Sequence, residues 1–180
     1  MEIQELWKEA RKLGYSAKEH YKNGSLEEAI SLKQKEIKLL EEYFNCLSPE
    51  NEEVGQICSW LGQAYSTLAA YVHEHGENNI HYLEKARERF KKAFDTYNLP
   101  AYSYSTYLWV LELLEKGKSL PERLPYVNEK VLLLIKASIE NRNIKCCGSQ
   151  EPAKKLLRDA LHQQQQIQEQ LNYIKVHKNT

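Results

Sequence analysis

Apolar residues recur at intervals of three and four along almost the whole chain, and that periodicity restricts the fold to helices packed on helices. The first stretch runs from about Glu2 to Tyr21, with Ile3, Leu6, Trp7, Ala10, Leu13, Ala17 and Tyr21 at helical spacing. It stops at Asn23-Gly24, because glycine accepts the left-handed conformation that closes a helix C-terminus. Ser25 suits the N-cap of a second helix, and Glu28 three places on completes a capping-box pattern. That helix continues through Ala29, Ile30, Ile37, Leu40 and Phe44.

Each later break is as local as the first. Ser48-Pro49 and the acids after it suit the start of a third helix, where proline fits the first turn and carboxylates meet the positive end of the dipole. Its apolar set is Val54, Ile57, Leu61, Ala64, Leu68 and Tyr71, ending at His75-Gly76. A fourth helix then reaches about Tyr97. A fifth, after Asn98-Leu99-Pro100, carries Tyr102, Tyr104, Tyr107, Trp109, Leu111 and Leu114 and stops at Gly117. The sixth contains Val131 to Ile135, apolar all round, so burial from more than one side is expected. Cys146-Cys147-Gly148 marks the last break, and the adjacent cysteines read as loop thiols. Ala153, Leu157, Ala160, Gln164, Ile167, Leu171 and Ile174 then define one long amphipathic helix.

Hairpins thus begin at a period of roughly fifty residues, which points to a solenoid of stacked units. The expected organisation is all-α: one repeat domain over residues 1–180, with hairpins at about 2–45, 49–97 and 101–142 and a capping helix at about 151–176. Gln163 to Gln166 would form the polar outer face of that cap.

Composition narrows the function. Twenty-five Lys plus Arg balance twenty-five Asp plus Glu, so no global field attracts nucleic acid or an anionic membrane. No apolar run approaches the roughly 18 residues that cross a bilayer, and the N-terminus is charged from Glu2, so a cytoplasmic protein is expected. Cys46, Cys58, Cys146 and Cys147 lack the paired spacing of a zinc site or a disulfide scaffold. His73 and His75 are not at the i, i+4 separation of a zinc helix, and Gly117-Lys118-Ser119 lacks the first glycine and preceding strand of a phosphate loop. Neither a cofactor, a metal nor an enzymatic activity is expected.

Leu61-Gly62-x2-Tyr65, followed by Ala86-x3-Phe90 and Pro100, resembles the tetratricopeptide (TPR) repeat pattern, and Gly24-x-Leu26-x2-Ala29 looks like the family's elbow. Gly62 would let the two helices of its hairpin approach closely. Cys58 stands where the pattern has Trp, and the gap from Tyr65 to Ala86 is longer than in a minimal repeat. The resemblance covers residues 10 to 100 by motif and the remainder by periodicity. It implies a right-handed α-α superhelix whose concave groove is lined by the first helix of each hairpin, and a role as adaptor or scaffold.

Three sets of residues are candidates for partner binding. Arg11, Lys18 and Lys22 share a stripe of the first helix and, in the register of the resemblance, face the groove as a cationic entrance for an acidic partner segment. A solvated helix face would explain the same stripe. Gln56, Ser59, Gln63 and Ser66 lie opposite the apolar stripe of the third helix, which has no acidic or basic charge between Val54 and Val72. Burial by neighbouring helices is the competing explanation. Tyr104 and Tyr107 belong to an aromatic cluster of the kind enriched at interfaces, of which half is expected in the core. The expected function is a protein-protein interaction module. The alternative is a scaffold that forms a homodimer through its C-terminal helix, with Gln164 as a register-setting polar residue in the seam.

Overall fold

The computed structural model describes residues 3–96, 99–100, 102–146 and 149–177. The expected helix ends at Glu2 and Tyr97, the thiol of Cys147 and the side chain of Cys146 lie outside the described residues. Among the described residues seven helices and one short hairpin follow in order: α1 Ile3–Lys22, α2 Leu26–Cys46, α3 Glu53–Glu74, α4 Ile80–Thr96, α5 Ser103–Glu115, α6 Leu120–Ile139, β1 Asn143–Cys146, β2 Ser149–Pro152 and α7 Ala153–His177. The architecture is all-helical, with neighbouring helices packed on one another. Contacts divide the chain into two compact units, Met1–Tyr107 and Leu108–Thr180, and the boundary falls inside α5.

In the first unit α1 packs on α2 and α3 on α4, while α2 against α3 joins the two pairs. Leu6, Ala10, Ile37, Leu40, Ile57, Leu61, Ala64 and Leu68 interlock as its core. At the first elbow Gly24 has φ +79°, its N–H bonds to Tyr21 C=O and the Ser25 N–H reaches back to His20 C=O, the paired bonds of a Schellman stop. Gly76 closes α3 in the same way, through His73 and Val72 carbonyls. The side chain of Ser25 makes no capping bond, so the expected capping box does not form there. The third helix also starts later than expected. Ser48 and Pro49 sit in a turn ahead of it, where the Asn51 N–H bonds to Ser48 C=O and Asn51 Oδ1 accepts the Glu53 N–H.

Two contacts fix the α3–α4 pair and its link to α2. The Phe90 ring lies directly on Gly62, where an added Cβ would stand 2.7 Å from it. Arg89 of α4 pairs with Glu41 of α2, which also accepts the Tyr65 hydroxyl. Burial and the adjacent Glu41 charge push the Tyr65 hydroxyl well above the ordinary tyrosine value.

In the second unit the tightest helix pair is α6 with α7, joined by the antiparallel β1–β2 hairpin in which Ile144 pairs with Glu151. The expected break at this point therefore contains strands. Ile144 is buried, and its side chain gives the hairpin an anchor. Inside the unit a buried polar network lies beside apolar packing by Leu111, Leu114, Val127, Leu133 and Leu134. Glu115 accepts from Arg123 Nη2 at 2.7 Å and from Lys130 Nζ at 2.7 Å, and Lys130 also donates to Gln163 Oε1 at 2.9 Å. Gln163 Nε2 completes the ring by donating to Glu115. Gln163 thus points inward, contrary to its expected place on an outer face. The apolar run of α6 is not covered on every side either, since Leu132 and Ile135 are exposed while Leu133 and Leu134 are buried. A helix paired mainly with one neighbour hides one stripe, and a run of five apolar residues exceeds it.

Candidate functional site

Within the first unit, α1, α2 and α3 enclose an open cleft of about 530 Å3. Arg11, Tyr15 and Lys18 of α1 stand at one rim, Gln56, Trp60, Gln63 and Thr67 of α3 at the other, and Lys33, Glu36 and Leu40 of α2 form the floor. The helical periods explain the arrangement. Arg11, Tyr15 and Lys18 are three or four apart and so lie on one face of α1, and Gln56, Trp60, Gln63 and Thr67 do the same on α3.

The walls meet through tryptophan. The rings of Trp7 and Trp60 are stacked, and the Arg11 guanidinium lies 5.5 Å from the Trp7 centroid and 5.9 Å from that of Tyr15. Arg11 Nη2 also donates to Tyr15 Oη at 3.3 Å. Among the described residues neither Arg11 nor Lys18 forms an ion pair with a carboxylate. Their charges are open to a ligand.

The floor is unusual chemistry for such a place. Lys33 and Glu36 occupy the inner stripe of α2 together with Ala29, Ile37 and Leu40, where the helical period calls for apolar residues. Their side chains are only 9% and 14% exposed, and Lys33 Nζ lies 2.5 Å from Glu36 Oε2. The contact is an ion pair, and among the described residues Oε2, closed off from solvent, has no donor beside it other than the Lys33 ammonium. Burial raises the Glu36 carboxyl above the ordinary carboxylate value, against the opposing charge of Lys33. Gly14 of α1 makes room for this carboxylate, since a Cβ there would lie 2.6 Å from Oε1.

The structure brings Arg11, Lys18, Gln56 and Gln63 together in the cleft. The other candidates lie elsewhere. Lys22 is exposed beyond the cleft and pairs with Glu19 at 2.8 Å. Ser59 is buried and hydrogen-bonded to Ser103 of α5, and Ser66 is buried with its hydroxyl donating to Gln63 C=O. Tyr104 and Tyr107 are fully buried, Tyr107 stacking on Phe90, and present no surface to a partner. The exposed aromatics here are Tyr102, just ahead of α5, and Trp109 within it. The uncharged face of α3 reflects packing from several sides, because Gln63 Nε2 also donates to Thr106 Oγ1 at 2.9 Å.

Trp7, Trp60, Lys33 and Glu36 were not expected in the site. The signal for the floor lies in the sequence as a gap: the apolar stripe of α2 steps from Ala29 and Ile30 to Ile37, and the two stripe positions between them hold charges.

Glu74 accepts the Tyr21 hydroxyl at 2.8 Å, and His75 Nδ1 lies 2.8 Å from Glu77 Oε1. Among the described residues no three His, Cys, Asp or Glu side chains gather as metal ligands, and no helix is long and apolar enough to cross a membrane. In α7, Ala153, Ala160 and Ile167 of the four-three seam are buried in the chain's own fold, and Gln164 donates to Asn128 of α6 at 2.7 Å. No family model, no curated protein and no solved structure matches the chain.

Proposed function

We propose that the chain is a non-enzymatic, TPR-like protein-interaction module, and that the cleft between α1, α2 and α3 takes an acidic segment of a partner protein. The observation that carries this reading is the pair of cations, Arg11 and Lys18, that have no carboxylate partner among the described residues and stand on the rim of a cleft whose walls are Trp7, Tyr15, Trp60 and Gln63. Cations outnumber the lone carboxylate in the lining, so the local potential favours an anionic ligand although the whole chain is neutral. The aromatic walls add rigid contact area at small entropic cost. α1 and α3 are the first helices of their hairpins, the helices that line the groove in the TPR family. In this reading the superhelix and the groove belong together, and a cytoplasmic adaptor is the role that follows.

The test is selection of binders from a random library of acetylated, amidated dodecapeptides by the full chain, followed by affinity measurement against an Arg11→Ala/Lys18→Ala variant. Enrichment of Asp and Glu, with at least about tenfold weaker binding to the variant, supports the reading. Selected peptides without acidic enrichment, or with equal affinity for both proteins, would overturn it.

A further inference from the structure

Lys33 and Glu36 make an ion pair that ties nothing together. Both lie on α2, three residues apart, so the pair links no two elements, yet both side chains are held in a largely buried place. Replacing such a pair by apolar side chains is often neutral or stabilising, and so stability gives little reason for charge here. The floor of a cleft gives one. Glu36 and Lys33 both line the cleft: Glu36 Oε2 is closed off beside the Lys33 ammonium, which leaves Oε1 as the carboxylate's acceptor, and the ammonium carries three N–H groups of which Oε2 occupies one side. The two form an acceptor and a donor side by side, facing the same space.

A primary carboxamide has the complementary edge. The side chain of Asn or Gln carries an NH2 donor and a C=O acceptor on one end, whereas a trans peptide unit points its N–H and C=O in opposite directions. A carboxylate would meet Glu36 as a like charge, and an ammonium or guanidinium would meet Lys33 and the cationic rim in the same way. A neutral amide meets neither repulsion. Depth also separates the roles: Arg11 and Lys18 are exposed at the rim, and Lys33 and Glu36 lie at the floor.

We infer that Lys33 and Glu36 read a single Asn or Gln side chain of the bound segment, whose amide donates to Glu36 and accepts from Lys33 while flanking acidic residues engage Arg11 and Lys18. The inference rests on the reading of the cleft as a segment-binding site and adds the residue that sets register. A site built around two buried polar groups discriminates against ligands that leave them unmatched.

The experiment uses the dodecapeptides selected by the full chain. The expected result is an Asn or Gln at a fixed distance from the acidic positions in every strong binder. Changing it to Met or to the corresponding acid then weakens binding to the wild-type protein about tenfold to a hundredfold. Against a Lys33→Met/Glu36→Met protein of unchanged helicity, the same peptide change should alter affinity less than about twofold. Acidic binders with no fixed amide, or with an amide that Met replaces without loss, overturn the inference and leave the functional reading standing. An amide penalty that persists undiminished in the double variant overturns the assignment to Lys33 and Glu36. Absence of acidic binders removes both readings together. The comparison of peptides on the wild-type chain decides the matter even if the double variant fails to fold.

Discussion

The rings of Trp7 and Trp60 lie face to face, with centroids 3.5 Å apart and planes within 9° of parallel, so one aromatic pair joins α1 to α3 beside the cleft. Such a contact contributes beyond the area it buries. Trp7→Ala, Trp60→Ala and the double variant should therefore be non-additive in urea unfolding, with a coupling of about 0.5–1.5 kcal/mol. Either single change should also abolish the near-ultraviolet dichroism of the stacked indoles. Additive losses would mean that the two rings act independently.

Gly62 and Gly24 are predicted to fail for different reasons when changed to Ala. At Gly62 the new methyl meets the Phe90 ring at 2.7 Å, and overpacking of this kind costs about 1–3 kcal/mol. A Phe90→Leu change in the same chain should recover part of that loss. At Gly24 there is open space around the Cβ but φ is +79°, so the cost is the left-handed backbone, about 1–2 kcal/mol, and no neighbouring change restores it. Unfolding midpoints of the three variants separate the two mechanisms.

Glu115 should control part of the acid limb of stability. Burial acts to raise its carboxyl, but hydrogen bonds and charge from Lys130 and Arg123 outweigh it and hold the group below the ordinary carboxylate value. A depressed folded value means that the unfolded chain binds the proton more readily. The contribution is present above the unfolded value of about 4.3 and disappears as pH falls through the lower folded value. Glu115→Gln should cost about 3–5 kcal/mol at neutral pH, because Lys130 is left buried without its counter-charge. It should also flatten the loss of native Lys130 and Gln163 resonances below pH 4.3. An acid limb identical in variant and wild type would exclude Glu115 as a contributor.

Gly14→Ala should separate the cleft from the fold. The methyl would contact the end of the Glu36 side chain at 2.6 Å, and that end can move where a backbone or ring cannot. Thermal stability is expected to change by less than about 1 kcal/mol. Affinity for a selected acidic peptide should fall about tenfold as Glu36 leaves Lys33. A large drop in stability with unchanged affinity would show that Glu36 belongs to the core alone.

Much of the helical order was legible because its signals are local. The stops at Gly24, Gly76 and Gly117 each need a left-handed residue, and the sequence places glycine there. The β1–β2 hairpin was not legible, since four-residue strands with one buried Ile144 leave too short an alternation to set against a turn. The rim of the cleft was readable from the spacing of Arg11 and Lys18 on one helix face. Tyr104 and Tyr107 were not, because α5 is apolar nearly all round and its phase is chosen by Phe90 and other neighbours distant in sequence. The Trp7–Trp60 stack depends on the α1–α3 approach, which no single-helix pattern encodes.

The run Gln163 to Gln166 looks interchangeable, one glutamine for another, but the fold has made it countable. Gln163 is bound into the Glu115 and Lys130 ring, and its neighbour Gln164 into Asn128. Adding or removing one glutamine would turn everything beyond it by about 100°, carrying Ile167 out of the interior. A tract of four like residues is thus held to a single length by two amide side chains and the isoleucine beyond them.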